Sequence, residues 1–493
     1  MTRPRLSPAT LDRLPPEVAR PGYDRGAIAT GIVHFGPGAF HRVHQAWYVE
    51  RLLPRDPRWG ICAVSLRSAD LHEALAPQDG LYTLAVRDAC CSHQVVGALR
   101  ESLVAPRDPA AVLSRLAAPT THAITLTVTE KGYCLGPDGT LDLARADIGH
   151  DLATPHAPVT AIGYLVEGLA RRRAAGTAPP AILCCDNLAD NGPRLRAAVL
   201  ALARERDRGL ADWIAAAVAF PRSMVDSITP ATTDALRAEV AAATGLDDRW
   251  PVQREAFVQW VLERHAAPVM PDWAAAGVLL TDDVPAWERA KLRLLNAAHS
   301  TLAYAGLLAG HATVAEAIAD PALAGFVERL WTREVMPGLA APHGLDLGAY
   351  AAAVLGRFRN PVIRHELAQI AWDGSQKLPV RILGTVADNL AAARPVSRLL
   401  LPVAAWLHFV RRVATAGGRL VDPLAPDLLA VGAAATGTAR EDLQSWLAPG
   451  GAFPPPLAAD PRFAQALALA YDRLSAALSS GTDAVVAAIA DWN

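Results

Sequence analysis

The stretch Trp287–Ser300, WERAKLRLLNAAHS, places a lysine, a carboxylate, an amide and an imidazole at helical spacing. With Lys291 at zero, Leu295, Glu288, His299, Leu292 and Asn296 fall at roughly 40°, 60°, 80°, 100° and 140° around a helix. Arg289, Arg293 and Ser300 gather opposite them, at roughly 160° to 200°. If that arginine edge meets solvent, the face of Leu292 and Leu295 points inward and takes Lys291, Glu288, His299 and Asn296 with it. Burying a lysine is costly unless it is paired or neutralised, so burial pushes its pKa down. A desolvated amine can then exchange a proton with a substrate hydroxyl. The same residues also have a plain structural account, with Glu288 and Lys291 as a surface ion pair, Asn296 as a helix flaw and His299 as a satisfied core histidine. This helix alone leaves both accounts open.

Other candidate groups stand where strands run out. GIVHFGPGAFHRVHQAWYVERLL reads as a strand from Gly31, a glycine turn and a helix, the opening of a nucleotide-binding βα unit. Gly36 and Gly38 let the backbone approach a pyrophosphate at the helix N-terminus, although His41 stands where a third glycine is expected. Ordinary tight-turn chemistry explains an isolated match of this kind equally well. The next strand ends in AVSLRSAD with no acid at its tip. Both Arg67 and Asp70 are near, so the preference between NAD and NADP stays open. THAITLTVTEKGY leads into Thr129 and Glu130, and AILCCDNLADNG into Asp186 and Asn187. An amide there can donate to a carbonyl or alkoxide oxygen. Turn formation accounts fully for Asn191 and Gly192, and less well for Asn187 directly after a buried strand. Gly36, Gly38, Phe40, Arg67, Thr129 and Glu130 are assigned to the cofactor side. RNPVIRHELAQIAWDGSQKLPVRIL presents Arg364, His365, Asp373, Ser375 and Lys377. Asp373 reads as a helix cap, and Arg364 and Lys377 either hold substrate or are surface cations.

The elements that must position these groups fall into two classes. Strands are expected at Gly31–Phe35, Gly60–Leu66, Leu81–Arg87, His122–Thr129 and Ala181–Asp186, with helices at Ala39–Leu53, Val159–Ala174 and Pro193–Arg206 among them. Strands alternating with helices imply a mostly parallel sheet covered on both faces. After about Val284 the patterns are helical: Trp287–Leu308, Ala322–Val335, Leu345–Arg357, Val362–Trp372, Val396–Ala416 and Pro461–Ala477. The expected fold is an α/β Rossmann-like dinucleotide-binding domain over 1–284, opening with an N-terminal arm of about 25 residues, and an all-α domain over 285–493 with a ligand cleft between them.

A chain of 493 residues can build two or three full cores, and 52% hydrophobic against 19% charged residues places it among compact globular proteins. The net charge of −2 with dispersed basic residues favours neither nucleic acid nor an anionic membrane as partner. Six cysteines without CxxC spacing suggest neither a zinc site nor a disulfide framework. With no signal-like N-terminus and no long apolar run, a reducing cytoplasm is expected.

Seven blocks occur in order: GIVHFGPGAFHRVHQA, QDGLYTL, LTVTEKGYC, CDNLADNG, FPRSMVDSITP, KLRLLNAAHSTLAYAG and DGSQKLP. Together they resemble the long-chain mannitol dehydrogenase family of polyol and sugar-acid dehydrogenases, over roughly Gly31 to Leu383. The resemblance implies metal-independent hydride transfer with NAD, NADP not being excluded. It implies Lys291 as the general acid/base, Asn187 and Asn296 as the amides polarising the substrate oxygen, and His299 as the histidine that orients substrate. Glu288 is implied in proton access to the lysine, Asp226 in a supporting role, and Arg364 and Lys377 as substrate-side cations. The segments after Thr127 and Arg364 look most like the fructuronate-reducing members, so reduction of D-fructuronate to D-mannonate is expected. Oxidation of mannitol, arabinitol or another polyol is the alternative, with monomer and homodimer both open. A catalytically silent sugar-binding protein would lack one of Lys291, Asn187, Asn296 or His299, and all four are present.

Overall fold

The computed structural model describes residues 3–492 apart from Ala89, Pro137, Ala266, Pro268 and Pro449. The chain divides into two compact units, Met1–Pro285 and Ala286–Asn493. The first unit holds strands β1 (Thr30–Phe35), β2 (Gly60–Ser65), β3 (Tyr82–Arg87), β4 (Ser92–Val96), β5 (Leu99–Val104), β6 (Ala123–Leu126), β7 (Ala181–Cys184), β8 (Ser223–Asp226), β9 (Val252–Glu255), β10 (Gln259–Glu263) and β11 (Leu279–Thr281).

Five of them form a wholly parallel sheet in the order β5-β2-β1-β6-β7. Every residue of β1, β6 and β7 is buried. Unbroken apolar runs suit strands covered on both faces, and successive side chains serve opposite cores. Val33 and Phe35 pack with the helices Ala161–Ala174 and Asn191–Arg206, whereas Ile32 packs with Val43, Val49 and Leu52. The expected Rossmann-like fold followed by a helical part is therefore present.

Several details differ from expectation. Leu81–Arg87 leaves the parallel sheet: it is β3 of a separate sheet, antiparallel to β4 and parallel to β9. The strand beside β2 at the edge of the parallel sheet is β5. A third sheet joins β8 to β10 antiparallel and β10 to β11 parallel. The N-terminal segment is no free arm, because Leu6, Leu14 and Val18 bury against Leu81, Val95 and Leu246. The helix expected over Ala39–Leu53 breaks at His44 (φ −116°, ψ −91°) into Ala39–Val43 and Gln45–Leu52.

The second unit is helical around one core that includes Leu302, Trp331, Trp406, Phe463 and Tyr471. Its long helices Leu347–Phe358, Ser397–Thr415 and Pro461–Ser479 follow the apolar periodicity. The helix expected over Val362–Trp372 shrinks to Leu367–Ile370. The backbone before it pairs with a neighbouring segment instead: His365 accepts from the Val314 N–H at 3.0 Å, and the Leu367 N–H donates to Ala312 at 2.9 Å. Among the described residues no helix is long and apolar enough to cross a membrane.

Candidate active site

In the first unit the candidate groups follow the carboxyl ends of adjacent parallel strands, where the chain turns from β1 to β2 on one side and to β6 on the other. Such a switch point is where doubly wound sheets leave a crevice. Gly36 has φ +83°, and a Cβ there would lie 2.2 Å from the Thr127 carbonyl oxygen, so only glycine fits. Gly38 differs in kind: it is exposed, with nothing closer to a Cβ than the Gly36 oxygen at 3.9 Å. A glycine facing open space at a helix start is what close approach of a pyrophosphate requires, so these residues fit a dinucleotide. His41, in the third-glycine position, is fully buried and stacks on His34 with ring centroids 3.4 Å apart. Phe40 stacks on His44 at 5.0 Å, and Arg67 is exposed just past β2.

Past β6, Thr129 adopts φ +64° and ψ 163°, a conformation rarely taken by a residue with a β-branched side chain. Asp186, past β7, holds it there by accepting the N–H groups of Val128 (2.8 Å) and Thr129 (3.1 Å) and the Tyr133 hydroxyl (2.7 Å). Burial raises the Asp186 pKa while these three donors oppose the rise. Thr129, Glu130 and Asn187 are exposed at these strand ends, and Asp226 is buried at the end of β8.

In the second unit, Lys291 is only 7% exposed and ends the helix Val284–Lys291. The next five residues, Leu292–Asn296, form a π-turn before the helix Ala297–Leu308. A π-turn fits an extra residue into one turn, setting the later residues back by about 100°. With that offset Asn296 moves to roughly 40° and His299 to roughly −20°, closer to Lys291 than a regular helix brings them. Ser300 moves too: expected at the solvent edge, it is 1% exposed. Arg289 remains exposed and Arg293 pairs with Asp388, as an outward edge should. The Trp331 indole donates to the Leu294 carbonyl at 3.0 Å, anchoring the π-turn to the core. Glu288 and Asn296 are half-buried.

His299 is buried, with the Phe358 ring 4.5 Å away and the His365 ring edge-on at 5.1 Å. Its pKa lies well below the ordinary value, first because of burial and then because of His365, Arg381, Arg357 and Lys291. Burial, aided by Lys377 and opposed by Glu366, brings His365 down to about 4. Both rings are neutral at neutral pH. Arg381 also donates to the Ser300 hydroxyl at 3.2 Å, and Lys377 to the Ile370 carbonyl at 3.3 Å.

Arg364 is not brought into this group. It is exposed and donates to Glu366 at 2.6 Å, because the extended pairing of this segment replaces the helix that was to present it. Asp373 is not a side-chain cap either; it sits in the left-handed region at φ 57°. The following Gly374 is fixed by packing, since a Cβ there would lie 2.4 Å from the Trp406 indole nitrogen. Arg357, Arg381 and the proximity of His365 to His299 escaped the sequence reading. The available signal was the spacing of Arg381 four residues after Lys377, which puts both on one helical face. Away from these groups in sequence, Cys91, His93 and Glu239 cluster at ligand-like spacing. Arg87 already bridges Cys91 and Glu239 there.

Residues 30–274 match the mannitol dehydrogenase Rossmann domain, and residues 283–475 the mannitol dehydrogenase C-terminal domain. The D-mannonate oxidoreductase of Escherichia coli (strain K12) is 40% identical over 93% of this chain and 96% of its own length. The polyol:NADP oxidoreductase of Gluconobacter oxydans (strain 621H) is 41% identical, over 83% of this chain and 86% of its own. The solved structure of Pseudomonas fluorescens mannitol 2-dehydrogenase, a ternary complex with NAD and D-mannitol, superposes with a TM-score of 0.86 at 35% identity, covering 98% of this chain and 99% of that one. The chain belongs to the mannitol dehydrogenase family. It is an oxidoreductase acting on CH–OH groups, with a Rossmann dinucleotide-binding domain.

Proposed function

We propose that this protein reduces the ketone of a sugar acid, D-fructuronate, to the secondary alcohol of D-mannonate with NADH, and runs the reverse oxidation with NAD. One observation carries the choice of a sugar acid: four cations, Lys291, Arg357, Lys377 and Arg381, act on the neutral pair His299 and His365. Cationic side chains grouped at a half-buried site favour an anionic substrate over a neutral one. The likeness to D-mannonate oxidoreductase along nearly the whole chain supports the same reading.

Gly36, Gly38, Phe40, Arg67, Thr129 and Glu130 hold the dinucleotide, which supplies the hydride when bound. Lys291 gives its Nζ proton to the substrate oxygen as the carbonyl carbon is reduced, and takes it back in the oxidative direction. The amides of Asn296 and Asn187 donate to that oxygen as it gains charge. His299, kept neutral by burial, orients a substrate hydroxyl. Glu288, half-buried one turn before Lys291, exchanges the proton with solvent, and Asp226 and Lys377 bind substrate hydroxyls and carboxylate. With the proton on an amine and the charge on amides, this chemistry asks for no metal, and the rate should survive a chelator.

The test follows NADH absorbance with fructuronate, tagaturonate and fructose as oxidants, and NAD reduction with mannonate, mannitol and arabinitol. Fructuronate should give the highest kcat/KM, with NADPH slower than NADH. A higher value for fructose would move the assignment to mannitol, the second reading, which the close superposition on mannitol 2-dehydrogenase favours. No turnover with either dinucleotide would remove the catalytic reading altogether.

A further inference from the structure

His365 takes no part in the chemistry above, yet it is the side chain whose ring stands edge-on to His299, 5.1 Å away. Its backbone is fixed from two sides, accepting from the Val314 N–H at 3.0 Å and donating to the Ile363 carbonyl at 2.9 Å. The backbone that carries the ring is therefore held by its own hydrogen bonds, one of them to a neighbouring segment. Its Nδ1 is buried and has no hydrogen-bond partner among the described residues, and the same is true of His299 Nε2. Buried polar atoms without partners cost stability, and two on neighbouring rings mark a place where ligand atoms complete the bonding. Lys377 acts on one ring, and Arg357, Arg381 and Lys291 on the other, with Glu366 as the opposing charge on His365.

Hydroxyl groups would satisfy the rings but make no use of the field. A carboxylate uses both. We propose that His365 is a specificity-determining residue that donates from Nδ1 to the carboxylate of an anionic sugar acid, within the field of Lys377 and Arg381, and so sets the preference for a hexuronate over a neutral ketose or hexitol. The inference rests on the proposed reading of the Lys291 site.

Wild type, His365→Leu and His365→Gln are compared with NADH in the reduction of fructuronate and of fructose, with mannonate as a competing ligand in the fructose assay. A hydrogen bond to a charged group is worth enough that His365→Leu should lower kcat/KM for fructuronate by about 10- to 100-fold, mainly through KM. The inhibition constant of mannonate should rise in parallel, while fructose kinetics stay within about threefold. His365→Gln, which keeps a donor, should recover part of the loss and serves where the leucine variant does not fold. Equal losses on fructuronate and fructose, or no loss on either, overturn the inference while leaving the proposed reaction standing. If fructuronate is not reduced but mannonate still competes, and competes less well in His365→Gln, the proposed reaction falls and the carboxylate role of His365 stands. Failure of every sugar acid both to react and to compete overturns the two together.

Discussion

Lys291 is buried, and its charge is among those that depress the neutral His299. If it moves the proton, Lys291→Ala should cut kcat by about 10²- to 10⁴-fold, the usual worth of a positioned acid/base, and leave dinucleotide affinity unchanged. Stopped-flow turnover and a fluorescence titration with NADH measure the two quantities, and preserved turnover would remove the role. A second buried group makes a stability prediction. Glu50 accepts the Tyr23 hydroxyl at 2.7 Å and the Gly97 N–H at 2.8 Å, and burial raises its pKa to about 7 against those bonds. An unfolded glutamate ionises near 4.3, so between roughly that pH and 7 the native state keeps a proton that the unfolded chain has lost. Stability at this residue is thus present at low pH and falls as pH rises across that window, by about 4 kcal/mol in all. Glu50→Gln, which keeps the acceptor without the charge, should match wild type in Tm at pH 4 and exceed it at pH 8.

At the scale of elements, the π-turn Leu292–Asn296 decides which residues accompany Lys291. Deleting Leu292 would remove the extra residue and keep His299 at roughly −20° in a regular helix, whereas inserting an alanine between Ala297 and Ala298, beyond the turn, would rotate His299 by about 100°. The insertion should abolish activity while far-UV circular dichroism is retained and the deletion should keep much of it; full activity in the folded insertion variant would deny the helix register this function. Gly374 offers a packing test of the same region. An alanine there meets the Trp406 indole nitrogen and the Tyr304 hydroxyl, both at less than 3 Å. Overpacking of that kind costs about 1–3 kcal/mol, to be read from denaturant midpoints.

At the scale of the whole molecule the two units titrate differently. In the second unit His299, His365 and His408 all have lowered pKa values, the last two at about 4, and Glu316, Asp442 and Asp460 are lowered rather than raised. As pH falls from 6.5 towards those low values the unfolded chain takes up protons that the native unit refuses, so the unit loses stability across that window. In the first unit the depressed His34, His41, His122 and His265 are opposed by Glu50, Asp151, Asp186 and Asp248, whose raised values act in the other direction. Hydrogen exchange between pH 6.5 and 5 should therefore rise first in residues 286–492. Earlier opening of residues 3–285 would contradict this balance.

What the sequence determined by itself was local. The β1 strand, its glycine turn and the long helices of the second unit were legible because period and turn chemistry reside in neighbouring residues. The inward lysine, amide and imidazole were legible for the same reason, as polar groups on an apolar stripe. The tertiary structure decided the rest. LRLLN reads as ordinary helix, and nothing local marks it as a π-turn; its Leu294 carbonyl is met by Trp331, 37 residues further on. β3 reads as a strand in either sheet, and only its partners β4 and β9 take it out of the parallel one. Arg364 left the candidate site and His365 joined it because backbone pairing with Ala312 and Val314 replaced a helix there. Helical periodicity states which residues share a face, whereas the partner met by that face is fixed by contacts far apart in the chain.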